Sequence, residues 1–76
     1  MPGVADVKRW RIFLAFDGDA PHLMADLTDT DAGVLRRQDE IWFGAVMTAK
    51  AQGVKAYCYA VCDAWPNLKM WERWYR

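Results

Sequence analysis

From Val7 to Phe16 large apolar side chains return at every second position. Trp10, Ile12, Leu14 and Phe16 fall on one face of an extended chain, while Arg9, Arg11, Phe13 and Ala15 fall on the other. That period predicts a strand. Asp17-Gly18-Asp19-Ala20-Pro21 interrupts it with turn chemistry, because Gly permits a positive φ and Asp bonds readily to nearby amides. Period two resumes from His22 to Leu27, with Leu23, Ala25 and Leu27 on the expected core face. The two runs predict a β-hairpin.

Thr28-Asp29-Thr30-Asp31 then offers several helix N-caps in succession, and its carboxylates suit the positive end of a helix dipole. A helix is predicted from about Ala32 to Gln52, with Gly53 as its stop. At 100° per residue Leu35, Trp42, Val46 and Ala49 stack into one stripe, flanked by Val34, Gln38, Ile41 and Ala45. Phe43 and Met47 lie outside that stripe among Arg36, Asp39, Glu40 and Lys50. An apolar pair so placed is either an ordinary exposed pair or a partner-binding anchor.

Val54 to Asp63 alternates small residues (Ala56, Cys58, Ala60, Cys62) with Tyr57, Tyr59 and Val61. A third strand is expected, its small side chains turned to the helix and its Tyr side chains opposite, beside Phe13 and Met24. In the tail, Pro66 suits a first helical turn. Leu68, Trp71, Trp74 and Tyr75 share one helical arc, with Lys69, Glu72, Arg73 and Arg76 on the other, so a short C-terminal helix is expected. A fourth strand is the alternative. The predicted fold is one α+β domain over residues 1–76, with 1–6 a loose lead-in. It runs β-β-α-β plus a short C-terminal helix, a three-stranded antiparallel sheet in order 2-1-3 packed on one long helix.

Composition sharpens this picture. Five Trp, three Tyr and three Phe in 76 residues exceed what one small core hides, so some should line a surface that a partner covers. Ten acids balance ten bases for a net charge of zero, which argues against a generic polyanion binder. Their distribution is uneven: Asp17, Asp19, Asp26, Asp29 and Asp31 form an acidic stretch, with Lys8, Arg9 and Arg11 before it and Lys69, Arg73 and Arg76 at the end. No apolar run approaches the ~20 residues of a bilayer span, so no membrane partner is expected. Two Cys and no charged-then-apolar leader favour a reduced cytoplasmic setting.

Candidate chemistry is sparse. Cys58 and Cys62 would lie about 13 Å apart along a strand, too far for a disulfide, and with His22 they make only three ligands where structural zinc takes four. Asp29, Asp31 and Glu40 fit positions of a calcium loop, but Gly33 and Val34 stand where a ligand and the turn glycine belong. No metal or cofactor is expected. One His, with no phosphate loop and no nucleophile motif, points to a protein that is not an enzyme.

Binding remains. Lys8-Arg9-Trp10-Arg11 and Trp71-Glu72-Arg73-Trp74-Tyr75-Arg76 interleave cations with rings, and Tyr57, Tyr59 and Phe13 would give a stacking platform. These features fit a single-stranded nucleic-acid-binding domain as the alternative reading. Protein binding fits more of the composition, because Trp, Tyr, Met and Arg are the residues of interface cores. Trp71, Trp74 and Tyr75, then Phe43 and Met47, are the expected apolar anchors, and Asp17, Asp19, Asp26 and Asp29 the charged contacts. Core filling, turn formation and capping are the ordinary reading of all nine. In size, single-domain economy and split charge the chain resembles small phage-encoded inhibitors, anti-CRISPR proteins among them, a likeness of general character and not of any segment. The resemblance implies a module that blocks or redirects a larger host protein or nucleoprotein assembly by occupying a surface. Direct nucleic-acid contact and a homodimer stay open.

Overall fold

A computed structural model describes residues 6–76. Four strands and one helix follow in the order β1 (Lys8–Phe16), β2 (His22–Asp29), α1 (Asp31–Gln52), β3 (Ala56–Cys62) and β4 (Met70–Tyr75). The strands form one antiparallel sheet in the order β2-β1-β3-β4, and α1 lies across one of its faces. The α+β class and the β2-β1-β3 part of the sheet match the expectation. Of the lead-in expected over residues 1–6, all but Asp6 lies outside the described residues.

The hairpin turns where the sequence supplies turn residues. Asp17 and Gly18 take φ values of 52° and 82°, and the Asp19 amide donates to the Phe16 carbonyl at 2.9 Å. Positive φ at both central residues matches the twist of the flanking strands, and Asp-Gly is the pair that reaches it most cheaply. Farther along the hairpin, Ile12 pairs with Ala25 but Phe13 pairs with Leu23, so Met24 is an extra residue in β2. This bulge corrects one expectation. Leu23 sits opposite Phe13 and is exposed, whereas only Ala25 and Leu27 reach the core.

The start and end of α1 are fixed by two residues. The Thr30 hydroxyl accepts from the Gly33 amide at 3.1 Å, and Gly53 closes the helix at φ 68° with its amide on the Ala49 carbonyl. Val34, Gln38, Ala45 and Ala49 are the buried positions of α1. They meet Ala56, Cys58, Ala60 and Cys62, whose short side chains let the helix approach the sheet closely, and Trp10, Ile12 and Leu14 complete the core.

The C-terminal segment differs from the expected short helix: it is β4, a fourth strand on the outer edge of β3. Pro66 occupies the second position of a turn closed by the Leu68 amide on the Trp65 carbonyl at 3.1 Å, a site that uses the same fixed φ as a first helical turn. The tail lacks strand alternation because of a second bulge. Cys58 pairs with Arg73 and Ala60 with Met70, leaving an extra residue in β4, and Trp71 takes φ 54°. Met70 and Trp71 therefore both join the core side, and the alternation resumes one residue out of phase.

Candidate binding face

The bulge in β4 divides the aromatic tail between two faces. Trp71 stacks on Trp10 with ring centroids 4.1 Å apart and planes 17° from parallel, and it packs against the core. The expectation of Trp71 as a surface anchor is thereby corrected. An αL backbone is costly for a bulky residue. Gln38, fully buried, holds it in place: its Nε2 donates to the Trp71 carbonyl at 2.9 Å and lies 3.5 Å from Cys58 Sγ. Arg73 on the same side pairs with Asp39 of α1 at 2.6 Å. Burial raises the Cys58 thiol above its ordinary pKa, with the Gln38 contact acting weakly the other way, so Cys58 is a protonated core residue.

Trp74 goes the other way. It pairs with Tyr57 across the strands and stacks on it at 3.9 Å. Tyr57 lies 5.3 Å from Tyr59, and Tyr59 stacks on Phe13 at 5.2 Å. A row of four rings thus crosses β4, β3 and β1 on the face that α1 leaves uncovered. Lys69 Nζ lies 5.0 Å from the Tyr59 ring centre and the Arg76 guanidinium 5.3 Å from that of Trp74, both at cation–π range. Tyr59 keeps only 8% of its surface in water, while Trp74 keeps 55%. Burial, and then the neighbouring Glu72 carboxylate, push the Tyr57 phenol up to about 12.

At the end of this row is an open groove of about 520 Å³, walled by Tyr57, Trp74, Tyr75 and Arg76 on one side and by Asp17, Asp19 and Lys55 on the other. The Asp17 amide donates to the Lys55 carbonyl at 2.9 Å, which ties the hairpin turn to the residues before β3. The fold thus brings four of the sequence candidates together here: Asp17, Asp19, Trp74 and Tyr75. Arg76, marked in the sequence only by the cation–ring alternation of the tail, shares the groove with Lys55, which nothing in the pattern marks except its place before a strand.

The remaining candidates lie elsewhere. Asp26 accepts from Arg9 through both oxygens, at 2.9 and 2.7 Å, and that guanidinium holds its carboxyl below the ordinary range. Arg11 pairs with Asp63 at 2.9 Å. Asp29 accepts from the Thr30 amide at 2.7 Å, and its carboxylate fills the space that a Cβ on Gly33 would occupy. Its role is to begin α1. Phe43 and Met47, 71% and 56% exposed, are on the outer side of α1, away from the sheet. Cys58 and Cys62 are buried, His22 is exposed opposite Leu14, and among the described residues no three His, Cys, Asp or Glu converge on one point. No helix is long and apolar enough to cross a membrane among the described residues.

No family model, curated protein or solved structure matches this chain.

Proposed function

We propose that the chain is a small non-enzymatic protein-binding module that blocks or redirects a larger protein or nucleoprotein assembly, in the manner of phage-encoded inhibitors such as anti-CRISPR proteins. One observation carries the reading. The sheet has a row of aromatic rings on the face that α1 does not cover, and that row ends in a groove with carboxylates that make no ion pair among the described residues. A sheet face rich in apolar surface gains by burying it against another layer, and no second helix among the described residues supplies one. Asp17 and Asp19 make no ion pair among the described residues, so they are available to meet cationic side chains on a target. The groove residues include neither His nor a hydroxyl or thiol nucleophile other than tyrosine, which favours gripping over turnover.

The geometry of the rings favours protein over single-stranded nucleic acid. Base stacking needs an aromatic face turned outward. In this row Tyr57 lies against Trp74 and Tyr59 against Phe13 at 3.9 and 5.2 Å, with Lys69 and Arg76 over Tyr59 and Trp74, so few ring faces are left open to a base. Of the basic N-terminal segment, Trp10 is buried, and Arg9 and Arg11 are committed to Asp26 and Asp63.

Affinity capture from the source cell tests the proposal. Immobilised wild-type protein should retain a partner that Trp74→Ala combined with Asp19→Lys loses and that Thr48→Ala, exposed on α1, keeps. If all three proteins retain the same material, the groove is not the grip. If nucleic acid alone is retained and salt releases it steeply, the domain belongs to the alternative class.

A further inference from the structure

On the outer side of α1, Arg36, Glu40, Phe43, Met47 and Lys50 succeed one another at alternating intervals of four and three residues. That spacing draws a straight seam along a helix, of the kind that pairs with a second helix. The seam lies opposite Ala45, which is 4% exposed, and at its centre Phe43 is 71% and Met47 56% exposed. Gly44 adjoins the pair. It lies mid-helix, and no atom comes within 4 Å of the place where its Cβ would be. Glycine there weakens the helix relative to alanine. Nothing within the described residues requires it.

The charges say what would cover the seam. About the level of Ala45 its order is acid, aromatic, methionine, base, which is its own complement when reversed. Neither Glu40 nor Lys50 makes an ion pair among the described residues. We propose that α1 is the contact of an antiparallel homodimer in which Phe43 packs on the partner's Met47 and Glu40 pairs with the partner's Lys50. A two-fold axis makes each contact twice, as an isologous interface demands. Methionine sulfur against an aromatic ring is a favourable core pair. Gly44 leaves room beside Phe43 for the incoming Met47 side chain. Arg36 comes to the C-terminal end of the partner helix, where carbonyls favour a cation. With only two apolar layers, the association is weak and reversible.

Sedimentation equilibrium of the full chain over a wide concentration series tests this, with circular dichroism confirming that each variant is folded. Wild type should show a monomer–dimer equilibrium, and Phe43→Ser with Met47→Ser should remove it. Glu40→Lys alone sets like charges together and should raise the dissociation constant by at least about tenfold, as should Lys50→Glu alone. The two reversals combined should restore dimerisation to within about threefold of wild type. A wild-type monomer at every concentration overturns the proposal. So does a dimer that ignores the charge reversals, one that the double reversal fails to rescue, or one lost through Trp74→Ala instead. The seam and the groove lie on opposite sides of the sheet, so failure here leaves the proposed function untouched.

Discussion

Gln38 is the one fully buried polar side chain among the described residues, and its amide holds the backbone of β4 against α1. Replacing it with Leu keeps the volume but strands the Trp71 carbonyl, an orphaned buried acceptor. Gln38→Leu should cost about 1–3 kcal/mol in urea unfolding. The two aromatic neighbours in β4 should separate in the same assay. Trp71→Ala empties the space beneath Trp10 and should cost about 3 kcal/mol or more, whereas Trp74→Ala, half in water, should cost about 1 kcal/mol. Equal losses would mean that the two rings do not differ as core and surface. Tyr57 makes a separate prediction in alkali. Its folded pKa stands near 12 against an ordinary 10.0, so the neutral phenol is favoured by folding. The stability it lends is complete below pH 10 and is lost as the pH rises from 10 toward 12. Tyr57→Phe should flatten that decline, and a slope unchanged by the substitution would count against this account.

At the scale of the element, α1 was the most legible part of the sequence, and for a local reason. Thr30 and Gly53 act within a few residues of where they stand, so spacing alone reveals them, whereas the centre of the apolar stripe is shifted: Val34, Gln38 and Ala45, expected at its flank, are buried with Ala49, and Leu35, Trp42 and Val46 are only half-buried. Two glycines in that helix distinguish packing from propensity. Gly33→Ala should gain less than Gly44→Ala, since the Asp29 carboxylate must turn out of the space its methyl needs and give up its bond to the Thr30 amide. Gly44→Ala meets nothing and should raise stability by about 0.5–1 kcal/mol, read as a higher Tm. Both edge strands were less legible. Each has a bulge, at Met24 and at Trp71, and one extra residue exchanges the faces of all that follow. Leu23 was thereby placed in the core by alternation alone. In the tail the same phase change gave β4 an apolar arc that mimics a helix. What decides for a strand is the unpaired edge of β3, a non-local fact that no window of the sequence contains. The groove was legible in its parts and not in its assembly: Asp17 and Asp19 lie far along the chain from Trp74 and Tyr75, and only the sheet order brings them together.

Among the described residues the molecule has one side of its sheet covered by α1 and the other by no helix. Acids and bases cancel and the isoelectric point falls near 6.5, so electrostatic repulsion between molecules is weakest just below neutral pH. Solubility should pass through a minimum there and recover on either side; light scattering across pH would measure it. A minimum that disappears with Trp74→Ser would trace the attraction to the face without a helix, whereas one that persists would place it elsewhere. Trp10 and Trp71 belong to the first and last strands of the chain, and their indoles lie nearly parallel at contact distance. Two indoles held in contact lose their free rotation, and the folded protein should carry a tryptophan contribution in its near-ultraviolet dichroism. That signal would vanish once the terminal strand leaves its neighbours, an internal optical gauge of chain closure that needs no added label.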